Sequence, residues 1–183
     1  WSLYTGFLVS QFPETFFEWV FGSVTRGEPF GFWFWFFGIG VSFYVFAKYF
    51  FPEKKYMPLR IIGPVFFMYN FYILNGWSIF ERAKFSLYIA LPLMIVIFFK
   101  TAKKEWTLLK GAIVLGLLFF FFNGGGSPPL YGGIAVTYAL LVVYFIFSGP
   151  RAYTARVIGF TVLFAIFFFL FNLYWILPQG RLL

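Results

Sequence analysis

Six apolar runs separated by short polar breaks dominate this chain and limit its fold before any motif is sought. They cover about residues 30–51, 61–77, 85–99, 107–122, 130–149 and 157–178. A helix needs about 20 apolar residues to cross the roughly 30 Å hydrocarbon core of a bilayer. The expected fold is therefore all-α: a polytopic transmembrane bundle of six spans over residues 30–183, preceded by an outer-face segment, residues 1–29. Only 11% of the residues are charged and 62% are hydrophobic, too few polar groups to cover a water-facing surface. The middle runs are short, so their helices should extend into flanking polar residues, with Lys84, Lys100 and Lys110 snorkelling.

The loop charges give an independent test of this topology. With residues 1–29 outside and strict alternation, one side holds Lys48, Lys54, Lys55, Arg60, Lys100, Lys103, Lys104, Lys110, Arg151 and Arg156. The other keeps Arg26, Arg82, Lys84 and Arg181. Ten against four accounts for all 14 cations and follows the positive-inside rule. Both termini are then expected outside, in a cell membrane. The net charge of +8 reads as attraction to anionic headgroups between spans, not as a nucleic-acid surface.

Residues 1–29 differ from the rest. "FPETFFEWVFGSVTRGEP" mixes Phe and Trp with three glutamates, and Pro13, Gly22, Gly27 and Pro29 interrupt it. Thr15 or Glu14 is placed to cap a short helix carrying Phe16, Phe17, Trp19, Val20 and Phe21, expected to lie on the outer leaflet. The chain starts at Trp1, as expected if a leader has been removed or if this is part of a longer protein.

The missing residue types restrict the chemistry. The chain has no Cys, no His and no Asp; its acids are Glu14, Glu18, Glu28, Glu53, Glu81 and Glu105. Thiolate and imidazole ligation and histidine acid–base catalysis are excluded. No cofactor is evident, and no ligand set for a divalent cation is recognisable. None of the glutamates lies deep in a span, where proton-coupled pumps keep theirs. P-loop and GxSxG motifs are absent. Scarce Asn, Gln and Met point to a heat-adapted source. The polar residues within the spans are sparse: Ser42, Asn70, Asn75, Thr137, Thr161, Asn172 and several tyrosines. Asn70, Asn75 and Asn172 read as hydrogen-bond links between helices and as partners for backbone freed by proline.

Three outer features each admit a structural and a functional reading. "NGGGSPPLYGG" from Asn123 is an uncharged hairpin turn, or a surface where Asn123, Gly124, Gly125 and Gly126 let a glycan approach the backbone. In "SIFERAKF", Arg82 and Lys84 anchor to headgroups, or grip a lipid phosphate. Glu14, Glu18 and Glu28 are solvated charges, or supply a general base for a sugar hydroxyl.

"MYNFYILNGW" ends the second run, "NGGGSPPLYGG" follows the fourth and "FNLYWILP" ends the sixth. In order and spacing they resemble the GT-C-type membrane glycosyltransferases, particularly arabinofuranosyltransferase-like proteins and their archaeal relatives. The resemblance covers about residues 15–179. It implies transfer of a sugar from a polyprenyl-phosphate donor at the outer face, with an acidic base in the first outer loop. Members of that family carry this acid after their first span and are much longer, so the chain corresponds to a central portion. Only Glu28, Glu14 or Glu18 is left to stand in for the base. Two other expectations remain open: a non-catalytic membrane subunit that assembles with other subunits, and a translocator of lipids or oligosaccharides.

Overall fold

The computed structural model describes residues 12–70, 82–122, 128–148 and 151–180, and within them every regular element is helical. Seven α-helices follow one another: α1 Phe12–Phe21, α2 Val24–Phe50, α3 Met57–Met68, α4 Arg82–Ala102, α5 Leu108–Phe121, α6 Pro128–Ser148 and α7 Arg151–Gly180. A 3-10 turn, Lys54–Tyr56, leads into α3. Each apolar run of the sequence holds one of the helices α2 to α7. Three are long and apolar enough to cross a bilayer: α2, α4 over Lys84–Ala102, and α7 over Tyr153–Leu173. The described parts of α3 and α5, 12 and 14 residues, would reach only about 18 and 21 Å at 1.5 Å per residue.

Prolines mark where the helix starts depart from expectation. α2 begins at Val24, six residues ahead of the expected span, with Ser23 extended before it at φ −158° and Pro29 inside it. Pro128 and Pro129, expected in the turn, open α6 instead. In the first turn of a helix the missing proline N–H has no carbonyl to bond, so the ring is tolerated there. Thr107 closes the start of α5 through its side chain, which accepts from the Lys110 N–H at 3.2 Å.

α1 folds back onto α2 at Gly22, whose φ of +63° suits glycine. The two backbones then approach so closely that a Cβ on Gly27 would overlap the main chain of Glu18. Phe17 and Phe21 stack on Phe30, with centroids 5.8 and 4.5 Å away.

α4 is the axis of the bundle. Inside the fold, 61% of its most apolar stretch is buried, against 33% for α2 and 11% for α7. One half of it packs with Trp35, Ile39 and Met68 from α2 and α3 through Phe85 and Ile89. The other half meets α5, α6 and α7 in a second core built on Met94, Phe98, Leu115, Phe145 and Phe160. α5 and α7 pack closely along each other, Phe119 meeting Phe164 and Phe168. The outward faces are apolar too: Phe66, Phe147, Leu140 and Ile62 are all exposed, as expected of a surface that meets lipid.

Pro92 lies within α4 and cannot donate to the Tyr88 carbonyl one turn earlier. Ser42 on α2 supplies a donor: its buried hydroxyl lies 2.8 Å from the Ile39 carbonyl and 3.3 Å from that of Tyr88. A neighbouring hydroxyl thus helps satisfy a group that proline leaves without its helical bond.

Candidate functional site

The helices alternate in direction and sort their charge to one end. Tyr49, in the last turn of α2, donates to Glu105 Oε1 at 2.7 Å, across the loop between α4 and α5. Phe50 packs edge-on against Phe99, and Phe145 of α6 against Tyr153 of α7. The C-termini of α2, α4 and α6 and the N-termini of α5 and α7 therefore gather at this end. It carries Lys48, Lys100, Lys103, Lys104, Lys110 and Arg156, with Lys54, Lys55 and Arg60 on the loop and turn into α3.

Arg156 organises this end. Its Nε donates to the Thr101 carbonyl at 2.6 Å, and an Nη to that of Trp106 at 2.5 Å. A cation is thereby placed against the C-terminus of α4, where the helix dipole is negative. Lys104 closes the same turn at φ +67°, its N–H donating to the Thr101 carbonyl. The ammonium groups of Lys100 and Lys110 sit over the Trp106 ring at 5.2 and 4.7 Å, and that of Lys103 over Phe99 at 5.5 Å. In the neighbouring loop Lys55 pairs with Glu53 at 2.7 Å.

At the opposite end of α2 a cavity of about 360 Å³ is lined by Thr25, Glu28, Pro29, Phe32 and Trp33. Three causes build it. Pro29 removes the donor that would bond the Thr25 carbonyl. Glu28 is exposed and carries a carboxylate into the same space. Phe32 and Trp33 supply apolar rings, joined edge to face at 6.1 Å. A carboxylate, a carbonyl and a hydroxyl beside aromatic rings suit a polyhydroxylated ligand, whose hydroxyls donate while its carbon faces lie on the rings.

Among the described side chains of the glutamates expected to act, Glu28 lines a cavity. Glu18 lies half-buried on α1, where its main chain meets Gly27 and its carbonyl accepts from the Ser23 N–H at 3.2 Å. Glu14 is on α1, but its side chain lies outside the described residues. The same holds for the Arg82 side chain, while Lys84 is half-buried in the first turn of α4. Phe85 beside Trp35 sets that turn at the same end as the Glu28 cavity. Asn123, Gly124, Gly125 and Gly126, like Asn75 and Glu81, fall outside the described residues.

The described polar groups within the spans bond both within and between helices. Thr101, Thr137, Thr161 and Asn172 each donate to the carbonyl four residues earlier in their own helix, and Asn70 to that of Phe67. A short polar side chain in an apolar helix finds its nearest acceptor there. Contacts that cross between helices include Ser42 to Tyr88, and Tyr138 to Thr161 at 3.1 Å. Among the described residues no three of His, Cys, Asp and Glu stand together to hold a metal.

Sequence reading missed Thr25, Trp33 and the ordering role of Arg156. Pro29, four residues after Thr25, was the available signal for the first. Compared with known proteins, the chain matches no protein-family model, no curated protein and no solved structure.

Proposed function

We propose that this chain is an integral membrane protein crossing the bilayer six times, with its cation-rich end in the cytosol. In this reading it is the membrane-embedded part of a GT-C-like glycosyltransferase, using a polyprenyl-phosphate-linked sugar at the outer face. The observation that supports it is the Glu28 cavity: a carboxylate at an aromatic-walled pocket, at the end of α2 where the first turn of α4 also lies.

The chemistry follows from that arrangement. Glu28 takes the proton of an acceptor hydroxyl, whose oxygen attacks the anomeric carbon of the donor. The bond from that carbon to the phosphate oxygen breaks, and polyprenyl phosphate leaves with the electron pair. Arg82 and Lys84 balance the charge on the departing phosphate. General-base catalysis contributes about 10²–10⁴-fold, so Glu28→Gln should lower transfer by at least about 100-fold. The assay is transfer from a polyprenyl-phosphate sugar in reconstituted membranes holding the full protein. A rate within a factor of about two of wild type would remove Glu28 from the reaction.

One observation favours a non-catalytic subunit instead. Val136, Leu140, Val143 and Phe147 form an exposed apolar stripe along α6, the kind of face a partner helix covers. Glycosyl transfer that is absent from the native complex would favour that role. A translocator has less support, because the groove that opens sideways between α2 and α3 is almost wholly apolar.

A further inference from the structure

That groove shares Trp33 with the Glu28 cavity and leads from there to the cation-rich end. It runs between the antiparallel α2 and α3, and its volume is about 650 Å³. Gly40, Pro64 and Met68 form its buried floor, and Val41, Ile61 and Val65 are exposed along its walls. Phe36 packs edge-on against Tyr69 at one end, with centroids 5.4 Å apart. At the other end stand Tyr44 and Arg60.

Arg60 is left with capacity to spare. One Nη donates to the Glu53 carbonyl at 3.2 Å. Its Nε is buried without a hydrogen-bond partner, and it is the sole such side-chain atom among the described residues. Pro64, four residues on, also removes the helical donor to the Arg60 carbonyl. A buried guanidinium donor without an acceptor is costly, and the nearest glutamate, Glu53, is already paired with Lys55. Lys48, Lys54 and Lys55 lie on the same end of the fold and deepen its positive field.

Dimensions identify the occupant. From residue 60 to residue 69 a helix rises about 14 Å, roughly half the hydrocarbon thickness of a bilayer. The groove's length therefore matches one leaflet, and its apolar walls lead to a cation at headgroup level. We infer that it holds a hydrocarbon chain of an anionic glycerophospholipid from the leaflet at the cation-rich end, with the headgroup phosphate accepting from the outer nitrogens of the Arg60 guanidinium. This site is independent of the proposed glycosyl transfer.

The test uses the full protein in phosphatidylcholine vesicles doped with a diazirine-bearing phosphatidylglycerol or, in parallel, a diazirine-bearing phosphatidylcholine. After illumination, labelled peptides are mapped by mass spectrometry. Labelling by the anionic probe should concentrate on residues 33–44 and 60–69. It should exceed labelling by the zwitterionic probe about fivefold, because both headgroups carry the phosphate but only phosphatidylcholine brings a second cation against Arg60. Arg60→Gln should remove that preference, and Arg60→Lys should keep part of it. Val65→Trp, which fills the groove and leaves Arg60 in place, should suppress labelling by both probes.

Equal labelling by the two probes would overturn the inference, as would a preference unchanged in Arg60→Gln. If Arg60→Gln fails to fold, the two-probe comparison on wild type and the Val65→Trp result decide the matter. A polyprenyl-phosphate probe that labels these segments better than phosphatidylglycerol would also overturn it.

Discussion

Arg156→Met is expected to lower the free energy of unfolding by about 3 kcal/mol. The side chain donates from two nitrogens to the carbonyls of Thr101 and Trp106, at 2.6 and 2.5 Å. Each hydrogen bond from a charged donor is worth about 1.5–3 kcal/mol. The residue is half-buried, so water recovers part of the loss, which holds the figure below the sum of two such bonds. A cation is also removed from the negative end of α4. Arg156→Lys should restore less than half, because an ammonium group lacks the planar fork that reaches two carbonyls. Unfolding in mixed detergent micelles, followed by tryptophan fluorescence, measures both variants. A change below about 0.5 kcal/mol for Met, the scale of an ordinary surface substitution, would show that Arg156 does not organise this end.

Trp35→Ala should cost about as much through a different cause. Trp35 is fully buried with Ile39, Met68, Phe85 and Ile89, and Phe122 meets its ring edge-on at 6.1 Å. In a water-soluble core such a truncation costs about 3–5 kcal/mol. Between helices in lipid little of that comes from water, and lost dispersion contacts around a void dominate. The expected loss is therefore at the lower limit, about 3 kcal/mol. The void should stay dry and accept benzene. Stabilisation of Trp35→Ala by benzene, with none for wild type, would confirm that it is a cavity. A variant as stable as wild type would mean that α2 and α4 are held elsewhere.

The helical character was legible in the apolar runs, because in an oily sequence nothing competes with the internal bonds of a helix. Helix starts were less legible. Pro29 and Pro128 were read as breaks, yet one is carried inside α2 and the other opens α6. A proline in the first turns of a helix has a different meaning from one in its middle, and sequence alone does not say which turn it occupies. The loop charges gave a side to each turn, and in the fold Tyr49, Glu105, Trp106 and Arg156 stand together at the end where the cations gather. The candidate sites were the least legible part. Glu18 and Glu28 are alike as letters, and the geometry around Thr25, Pro29 and Trp33 separates Glu28 from Glu18. Arg60 counted as one more loop cation until the turn of α3 placed it against a groove.

The hydroxyl that α2 extends to the Tyr88 carbonyl makes Ser42 and Pro92 partners in descent. A lineage that replaces the ring with an ordinary residue regains its own amide donor, and the serine is then free to drift. While the ring stays, selection should guard an alcohol on the facing helix. Two positions fifty residues apart would then be inherited as one character.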